Sequence, residues 1–346
     1  MKIVETTKAV GQVLCHDLTQ IIRGEKKGPA FRKGHIVREE DIPILLSMGK
    51  DHLYVWENNE NMLHENEAAQ ILFDLCAEEG MERSEIKEGK IEIFADRDGL
   101  LKIDREKLYK INHMGDMMIA VRHGDLPVKK GEKLAGTRII PLVIEKEKMR
   151  KAKEAVNGES ILKVLPFHSK KTAIVTTGNE VFYGRIKDTF GPVVRDKVAE
   201  YDCEVIGQVY CDDKKEHITK EIQKFVEEGA ELILCTGGMS VDPDDCTPGA
   251  IRDTGAEIVT YGAPVLPGAM LLLAYLENKE GKNVTIVGLP GCVMYAKRTI
   301  FDLVLPRILA DDPIRKEELD ALGEGGLCLN CDVCYFPNCG FGKGRM

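Results

Sequence analysis

The sequence predicts an α/β protein, in which a mostly parallel sheet with helices on both faces follows a β-rich α+β amino-terminal region. Three observations lead to this fold class. Strand-like and helix-like segments alternate from Thr172 onward, the strands are short apolar runs, and several of them end in glycine-containing turns. Alternation of this kind is typical of βαβ units, which build parallel sheets buried on both faces. The first 165 residues show no such alternation.

The order of elements in the second region follows from hydrophobic periodicity. Apolar and β-branched runs predict strands, whereas apolar residues at every third or fourth position predict helices. The predicted strands are Thr172–Thr176, Glu204–Tyr210, Glu231–Cys235, Glu257–Tyr261 and Val284–Val287. The predicted helices are Arg185–Tyr201, Glu216–Glu228, Pro248–Asp253 and Val293–Ala310. Sheets of this type bind ligands at the carboxyl ends of their strands.

The first region is predicted to hold short strands and isolated helices in one or two lobes. Its predicted helices are Glu39–Met48, ended by Gly49, and Glu65–Glu79. Its predicted strands are His52–Trp56, Met117–Arg122, Thr137–Ile144 and a hairpin over Ile91–Ile103 that turns at Asp98-Gly99. Because 346 residues exceed one typical domain, we expect three segments joined in part by the charged stretch Glu145–Ser160. They are an accessory region over 1–150, an α/β domain over 168–312 and a cysteine-rich tail over 326–342.

Composition narrows the function classes. A formal net charge of −9 argues against nucleic-acid binding, which needs a basic surface. No apolar run approaches the roughly 20 residues that cross a bilayer, and the first residues carry early charge rather than an apolar leader. We therefore expect a cytoplasmic protein with no membrane or nucleic-acid partner.

Two glycine-containing turns have the composition of anion sites. Thr236-Gly237-Gly238 with Ser240 follows a buried strand, where close amide groups and hydroxyls suit a phosphate. Gly288-Leu289-Pro290-Gly291 precedes a predicted helix, and the first amides of a helix attract anions. The glycines are equally explained by a tight turn that needs positive φ, so both interpretations stay open at this point.

Carboxylates also follow the predicted strands. Glu180, the pair Asp212-Asp213 and the group Asp242–Asp245 all lie in loops expected at one edge of the sheet. Mg²⁺ takes one or two protein carboxylates and fills its other positions with water and phosphate. The pattern therefore predicts a magnesium site, with a helix cap at Asp212-Asp213 and a solvated turn at Asp242–Asp245 as the alternatives.

The order and spacing of these turns resemble a known family. The matching motifs are Thr177-Gly178-Asn179-Glu180, Asp212-Asp213, Thr236-Gly237-Gly238-Met239-Ser240-Val241 with Asp245, Pro267-Gly268 and Gly288-Leu289-Pro290-Gly291. With them, Thr172–Ala310 resembles the molybdopterin-binding domain of molybdopterin molybdenumtransferases and adenylyltransferases, including both ends of gephyrin. A looser likeness of Ala9–Asp17 and Phe31–His35 to the transferases' accessory region favours the molybdenum-inserting branch.

The resemblance implies a three-layer α/β/α domain and a transferase that binds molybdopterin, or adenylylated molybdopterin, and inserts molybdate with Mg²⁺. Glu180, Asp213 and Asp245 would be catalytic, and Asp212, Asp213 and Asp245 would hold the metal. The residues expected to contact the pterin are Thr177, Gly178, Thr236, Gly237, Gly238, Ser240, Pro267, Gly268, Gly288, Pro290 and Gly291. The resemblance also implies a homodimer, with a molybdoenzyme as a further partner.

Three positions depart from the family pattern. Asn179 stands where Asp is usual, Cys292 stands where Asn is usual, and Pro267-Gly268-Ala269-Met270 lacks the flanking lysines. These departures favour a second hypothesis, a non-catalytic carrier or sensor of molybdopterin or the molybdenum cofactor. ATP-dependent adenylylation of molybdopterin is the third.

The last four of the eleven cysteines form a separate feature. Cys328, Cys331, Cys334 and Cys339 are separated by two, two and four residues. Thiolates so close in sequence can share a metal centre, either tetrahedral Zn²⁺ or an iron–sulfur cluster, and the paired two-residue gaps slightly favour the cluster. The alternative is a disordered tail with redox-active thiols. The family does not usually carry this tail.

Overall fold

The computed structural model describes residues 2–22, 26–55 and 60–344, the side chains of Lys26 and Lys27 excepted. The chain divides into two compact units. The first comprises residues 1–97, 102–122 and 129–164, and the second comprises residues 98–101, 123–128 and 165–346. No helix among the described residues is long and apolar enough to cross a membrane.

Strands and short helices alternate irregularly in the first unit and regularly in the second. The strands are β1 (Lys2–Glu5), β2 (Leu18–Ile22), β3 (Lys26–Phe31), β4 (His52–Val55), β5 (Met62–His64), β6 (Glu82–Arg83), β7 (Lys90–Phe94), β8 (Gly99–Ile103), β9 (Met117–Val121), β10 (Leu126–Val128), β11 (Lys133–Ile139), β12 (Val143–Glu145), β13 (Leu162–Pro166), β14 (Thr172–Thr177), β15 (Val205–Cys211), β16 (Leu232–Thr236), β17 (Glu257–Tyr261), β18 (Leu272–Glu277) and β19 (Asn283–Leu289). The α-helices are α1 (Ile42–Ser47), α2 (Glu65–Cys76), α3 (Arg105–His113), α4 (Lys146–Val156), α5 (Asn179–Phe182), α6 (Phe190–Ala199), α7 (Lys215–Glu227), α8 (Thr247–Asp253), α9 (Ile300–Leu309) and α10 (Lys316–Asp320).

Small antiparallel sheets build the first unit. The largest has four strands in the order β6-β7-β11-β9, and the pairs β1-β4, β2-β3 and β5-β12 form two-stranded sheets. Strand β7 alternates, with Ile91 and Ile93 fully buried on one face. Helix α2 buries Ala68, Leu72 and Cys76, the stripe that its periodicity predicts. The β-rich prediction for this region is therefore confirmed.

Two predicted elements of the first region are wrong. The hairpin over Ile91–Ile103 does not form, because β7 pairs with β6 and β11 whereas β8 pairs with β10. The strand predicted over Thr137–Ile144 is two strands that pair with different partners. Pro141 lies between them, where its missing amide interrupts pairing. Strand His52–Trp56 is confirmed as far as Val55, and Trp56 lies outside the described residues.

A six-stranded, mostly parallel sheet forms the second unit, in the order β15-β14-β16-β19-β18-β17. The first four strands in this order are mutually parallel, while β18 runs antiparallel to both of its neighbours. The parallel strands β14, β15, β16 and β19 therefore end at one edge, and so does β17.

The sheet separates two apolar cores. Alternate residues of each strand point to opposite faces, so Ile174 and Leu234 belong to one core, and Val175 and Ile233 belong to the other. Helices α6 and α9 cover the first face through residues that include Val194, Val198, Phe301, Val304 and Ile308. Helices α7 and α8 cover the second through residues that include Ile218, Ile222, Phe225, Ala250 and Ile251. The predicted α/β fold with helices on both faces is confirmed, and the sheet with its two helical faces forms three layers.

Several boundaries in this unit differ from the prediction. Strand β18 is absent from the predicted elements. Helix α6 begins at Phe190 rather than Arg185, because the Asp188 carboxylate accepts the amide hydrogens of Phe190 and Gly191 at 2.9 and 3.0 Å. Helix α9 begins at Ile300 rather than Val293, because Thr299 and Asp302 cap it reciprocally. The predicted first residues of that helix, Val293 and Met294, belong to a short 3₁₀ turn over Gly291–Met294 instead.

Candidate functional site

Turns that follow three elements of the sheet surround a cavity of about 650 Å³ in the second unit. Its walls come from residues 237–240 after β16, residues 266–270 before β18, and residues 289–292 at the end of β19. The described lining is completed by Phe190, Asp245, Met294 and Tyr295. We call this the loop cavity. It brings together Gly237, Gly238, Ser240, Pro267, Gly268, Pro290 and Gly291 of the predicted ligand-binding residues.

The Gly237-Gly238 pair needs glycine for conformational reasons. Both residues have positive φ, 85° and 54°. A Cβ on Gly237 would clash with the Thr177 carbonyl oxygen, and one on Gly238 would lie 2.8 Å from Thr247 Oγ1. The tight-turn interpretation is therefore correct for the glycines themselves, whatever ligand the turn binds.

Buried threonines hold this turn from behind. The Thr177 hydroxyl donates to the Thr236 carbonyl at 3.2 Å and lies 3.0 Å from Thr247 Oγ1. The Thr247 hydroxyl in turn donates to the Gly237 carbonyl at 3.0 Å. Thr177 and Thr236 are 2% and 0% exposed, and neither lines the loop cavity. The structure thus places these two predicted ligand contacts behind the turn, together with Gly178 and the buried Gly288.

The front of the turn presents free backbone donors. In the described part of the chain, the amides of Gly238, Met239 and Ser240 donate to no backbone or side-chain acceptor. The carbonyls of Met239 and Ser240 accept the Tyr261 hydroxyl at 3.0 and 3.2 Å, which fixes the peptide planes. Burial and the charge of Asp245 raise the pKa of Tyr261, so the hydroxyl remains a donor. Successive unpaired amides of this kind form an anion-binding concavity.

The Pro267-Gly268 turn is packed against the start of helix α9. Gly268 has a φ of 124°, and a Cβ there would lie 2.5 Å from Ile300 Cγ2. The Pro267 carbonyl accepts the Ile300 amide at 3.1 Å. These contacts fix the wall of the loop cavity opposite Gly237, and they explain the glycine without a ligand.

Acidic side chains gather beside the Gly237 turn. The Asp213 carboxylate accepts the Asn179 amide at 2.8 Å. Burial is the largest cause that raises the pKa of Asp213, the Asn179 hydrogen bond opposes it, and the charges of Glu180, Asp244 and Asp245 raise it further. The charges of three neighbouring carboxylates therefore act on Asp213, and one of them, Asp245, also lines the loop cavity.

Asp212 interacts with a different set of residues. It is buried, and its carboxylate contacts His217 Nδ1 at 2.7 Å and Lys214 Nζ at 3.2 Å. Burial is the largest single cause that acts on the pKa of Asp212, and it acts to raise it. The hydrogen bonds and charges of His217 and Lys214 together outweigh burial, so the pKa is lowered. Asp212 thus pairs with two side chains at the start of helix α7, but it does not cap the helix, because α7 has no side-chain cap hydrogen bond.

Several residues of the site are absent from the predicted site residues, among them Met239, Thr247, Tyr261 and Tyr295. Tyr261 is the last residue of the predicted strand Glu257–Tyr261, so its place at the same sheet edge was a usable signal. The side chain of Met239 lies against Gly288, where a Cβ would be 2.6 Å from its sulfur. No sequence pattern marks that contact.

The four carboxyl-terminal cysteines line a second, separate cavity of about 220 Å³ in the same unit. We call this the tail cavity. Cys328 and Cys339 are half-buried against the core, while Cys331 and Cys334 are exposed. Across residues 2–22, 26–55 and 60–344, no three His, Cys, Asp or Glu side chains are close enough to hold one metal ion.

Part of the second unit matches a known family. Residues 173–310 match the family model described as "Probable molybdopterin binding domain". This match covers residues 173–310 only, less than half of the chain. Residues 3–57 match a different model, described as "Domain of unknown function (DUF8806)".

Relatives resemble only part of the chain. A CinA-like protein of Mycobacterium tuberculosis (strain ATCC 25177 / H37Ra) is 34% identical over 92 residues, which cover 26% of this chain and 21% of the relative. A CinA-like protein of Mycobacterium avium (strain 104) is 33% identical over the same length, with the same coverage. The chain thus spans about a fifth of the length of these curated relatives.

Two solved structures are also similar to the chain. The tungsten cofactor synthesizing protein MoaB from Pyrococcus furiosus is 17% identical, with 36% of this chain and 84% of that chain covered and a TM-score of 0.32. The molybdopterin biosynthesis enzyme MoaB from Thermus thermophilus is 23% identical, with 40% and 91% covered and a TM-score of 0.33.

Proposed function

We propose that this protein acts in molybdenum cofactor biosynthesis, binding adenylylated molybdopterin in the loop cavity and inserting molybdate. The observation that carries the proposal is the cavity itself. A single space joins the free amides of the Gly237 turn, the Pro267-Gly268 turn and the Pro290-Gly291 turn, with the carboxylate of Asp245 in its wall. This placement accommodates a phosphorylated ligand beside an acidic group.

The phosphate would be held by the backbone rather than by cationic side chains. Gly238, Met239 and Ser240 supply amide donors, and the Ser240 hydroxyl can add another. The described lining contains no Lys or Arg. Dianionic phosphate next to Asp245 therefore needs a cation to balance its charge.

Asp213 and Asp245 are the side chains that we assign to such a cation, and Asp212 is left out because its carboxylate is already paired. Burial is the largest cause that raises the pKa of Asp213, and the charges of Glu180, Asp244 and Asp245 raise it further, so a bound divalent ion would stabilise its ionised form. Mg²⁺ suits oxygen ligands of this number and, when bound, would neutralise the charge that develops on a diphosphate. The charge of Glu180 also acts on Asp213, so Glu180 would add to the negative potential that attracts the cation.

In the proposed reaction, water cleaves the phosphoanhydride bond of adenylylated molybdopterin, and AMP leaves. The two dithiolene thiols then give up their protons and bind molybdenum through sulfur, and one oxygen of molybdate leaves with these protons as water. The residues of this chain contribute by position. The Gly237 turn would fix the pterin phosphate, and Asp213 and Asp245 would hold the cation that neutralises charge at the bond that breaks.

The test is release of AMP from adenylylated molybdopterin in the presence of molybdate and Mg²⁺. We expect Mg²⁺-dependent release by the unaltered chain and a loss of at least about 100-fold in Asp245→Asn. Asp242→Asn is the matched control, because Asp242 is exposed in the same loop and is absent from the charges that act on Asp213. Equal activity of the two variants would remove Asp245 from the mechanism.

A second candidate is a carrier or sensor that binds the pterin without turnover. The absence of Lys and Arg from the described lining, with Ala269 and Met270 following Pro267-Gly268, favours it. Tight pterin binding with no AMP release under the same conditions would select this function. Failure of both binding and release would refute both candidates.

A further inference from the structure

The cysteine-rich tail is folded onto the core of the second unit. Phe341 is only 4% exposed and belongs to the core beneath helix α9. The Gly342 amide donates to the Gly325 carbonyl at 3.0 Å, and a Cβ on Gly342 would clash with Leu303 Cδ2. A tail that needs glycine for close packing is a built part of the domain, contrary to the disordered alternative.

This packing directs four thiols to one space. Cys328, Cys331, Cys334 and Cys339 all line the tail cavity of about 220 Å³, and each is a free cysteine. Much of the remaining wall is apolar and aromatic, including Phe336. Apolar surroundings with four convergent sulfurs suit a thiophilic metal group and do not suit hydrated ions.

The charge of the wall fits an anionic metal–thiolate group. Lys297 and Arg298 line the tail cavity, and its described lining contains no Asp or Glu. Lys297 Nζ donates to the carbonyls of Cys331 and Asp332 at 3.3 and 2.8 Å. Arg298 lies over the Phe336 ring at 5.2 Å and also interacts with the Cys334 side chain. Four thiolates around a metal group carry excess negative charge, which these two cations offset.

Arg298 is itself held in place from the core side. Its guanidinium donates to Asp302 at 2.8 Å and lies 3.7 Å from Glu200. Asp302 also accepts Lys197 Nζ at 2.7 Å, so two cations share that buried carboxylate. These contacts fix the guanidinium of Arg298 at the wall of the tail cavity.

The arrangement of the four cysteines favours a cluster over a single ion. A tetrahedral Zn²⁺ with Zn–S bonds of about 2.3 Å draws four sulfurs to within about 4 Å of one another. In the described residues no group of three His, Cys, Asp or Glu side chains is arranged to hold one ion. The four cysteines instead border a space, which an iron–sulfur cluster fills with its own atoms.

We propose that Cys328, Cys331, Cys334 and Cys339 ligate a four-iron, four-sulfide cluster in the tail cavity. Each thiol loses its proton as its sulfur bonds to iron. Equal amounts of ferrous and ferric iron with inorganic sulfide supply the cluster, so its assembly needs no further oxidant or reductant. The site goes beyond the proposed molybdopterin chemistry and does not depend on it.

The experiment is anaerobic reconstitution of the full chain with ferrous and ferric iron and sulfide, after removal of bound metal. We expect about four iron and four sulfide per chain, with thiolate-to-iron absorption in the visible region and loss of that absorption on reduction. Cys331→Ser and Cys334→Ser should lose most of the iron, since both residues are exposed and their replacement leaves the core intact. Cys203→Ser, in the same unit but outside the tail cavity, should match the unaltered chain.

A parallel arm adds Zn²⁺ alone, with Co²⁺ as its spectroscopic probe. One equivalent of tetrahedral thiolate-bound Co²⁺ without cluster formation would overturn the proposal in favour of a single ion. Absence of any metal binding, or full iron retention in both tail variants, would also overturn it. Circular dichroism and melting temperature establish that the variants are folded, and Cys331→Ala repeats the test with a different side chain.

Discussion

The two cavities of the second unit are built in opposite ways. The loop cavity, about 650 Å³, is formed mainly by turns, and Asp245 is the sole charged residue in its described lining. The tail cavity, about 220 Å³, is formed by side chains, with four thiols, two cations and no carboxylate in its described lining. The first therefore suits an anion held by amides together with a cation, and the second suits a group that is anionic as a whole.

This difference predicts different responses to substitution. A site made of backbone depends on φ angles, so single glycine changes alter its shape and the stability of the domain together. A site made of side chains can lose a ligand at an exposed position while the fold persists. The following predictions test that contrast, from the largest expected effect to the smallest.

Gly237→Ala should lower the free energy of unfolding of the second unit by about 3 kcal/mol, because the new Cβ meets the Thr177 carbonyl and φ is positive. Urea denaturation measures this. Gly291→Ala is the control in the same cavity, since a Cβ there has no atom within 4 Å, and it should cost less than about 0.5 kcal/mol. Equal costs would show that the turn does not depend on its glycine conformation.

Ser240→Ala should weaken molybdopterin binding about tenfold, the value of one hydrogen bond to a charged group. Calorimetric titration measures the affinity, and iron binding by the tail should stay unchanged. Ser169→Ala is the matched control, because the Ser169 hydroxyl donates to the Asp202 carbonyl and does not line the loop cavity. An unchanged affinity in Ser240→Ala would leave amides alone as the phosphate donors.

Asp213→Asn should raise the melting temperature at neutral pH in metal-free buffer and reduce stabilisation by Mg²⁺. The pKa of Asp213 is raised in the folded chain, so the folded state binds this proton more tightly than the unfolded state does. Ionisation therefore destabilises the fold as pH rises above the ordinary aspartate value of 3.8, and the penalty is fully present at neutral pH.

Melting curves with and without Mg²⁺ measure both effects of that substitution. The difference between Asp213→Asn and the unaltered chain should vanish as pH falls below the ordinary aspartate pKa. A variant that is less stable than the parent at neutral pH without metal would contradict the proposed repulsion among these carboxylates.

Lys297→Met should have the smallest effect, a loss of less than about fivefold in iron retention against a chelator. Its two hydrogen bonds to the tail carbonyls and its charge beside the thiolates would be removed. Lys279→Met, at an exposed ion pair with Glu227 away from both cavities, should change nothing. Faster iron loss in the control than in Lys297→Met would refute the electrostatic role.

The repeated pattern of elements and the residues of the turns were enough to predict the main features of the second unit. Alternating strands and helices predicted the parallel sheet, and the glycine turns after β16 and β19 lie at the predicted edge. Strand β18 was missed because it runs antiparallel directly after the Pro267-Gly268 turn and lacks a preceding helix. The false hairpin at Asp98-Gly99 shows that a good turn dipeptide does not choose the strand's partner, which packing decides.

The individual roles of site residues were less predictable than their position. Asp212 and Asp213 are adjacent, yet the first pairs with His217 and the second accepts the Asn179 amide. Thr177 belongs to a matching motif but is turned inward to Thr236 and Thr247. The cysteine spacing indicated that the thiols share a site, but Lys297 and Arg298 come from a distant segment that no local pattern connects to it.

Leu266 lines the loop cavity and is also hydrogen-bonded to the segment that leads to the tail cavity. Its amide donates to the Gly326 carbonyl and its carbonyl accepts the Cys328 amide, each at 2.8 Å, while the residue also lines the loop cavity beside Pro267. These two hydrogen bonds connect a wall of the loop cavity to the segment that carries Cys328. By thermodynamic reciprocity, any factor by which iron loading changed pterin affinity would equal the factor by which pterin binding changed iron affinity.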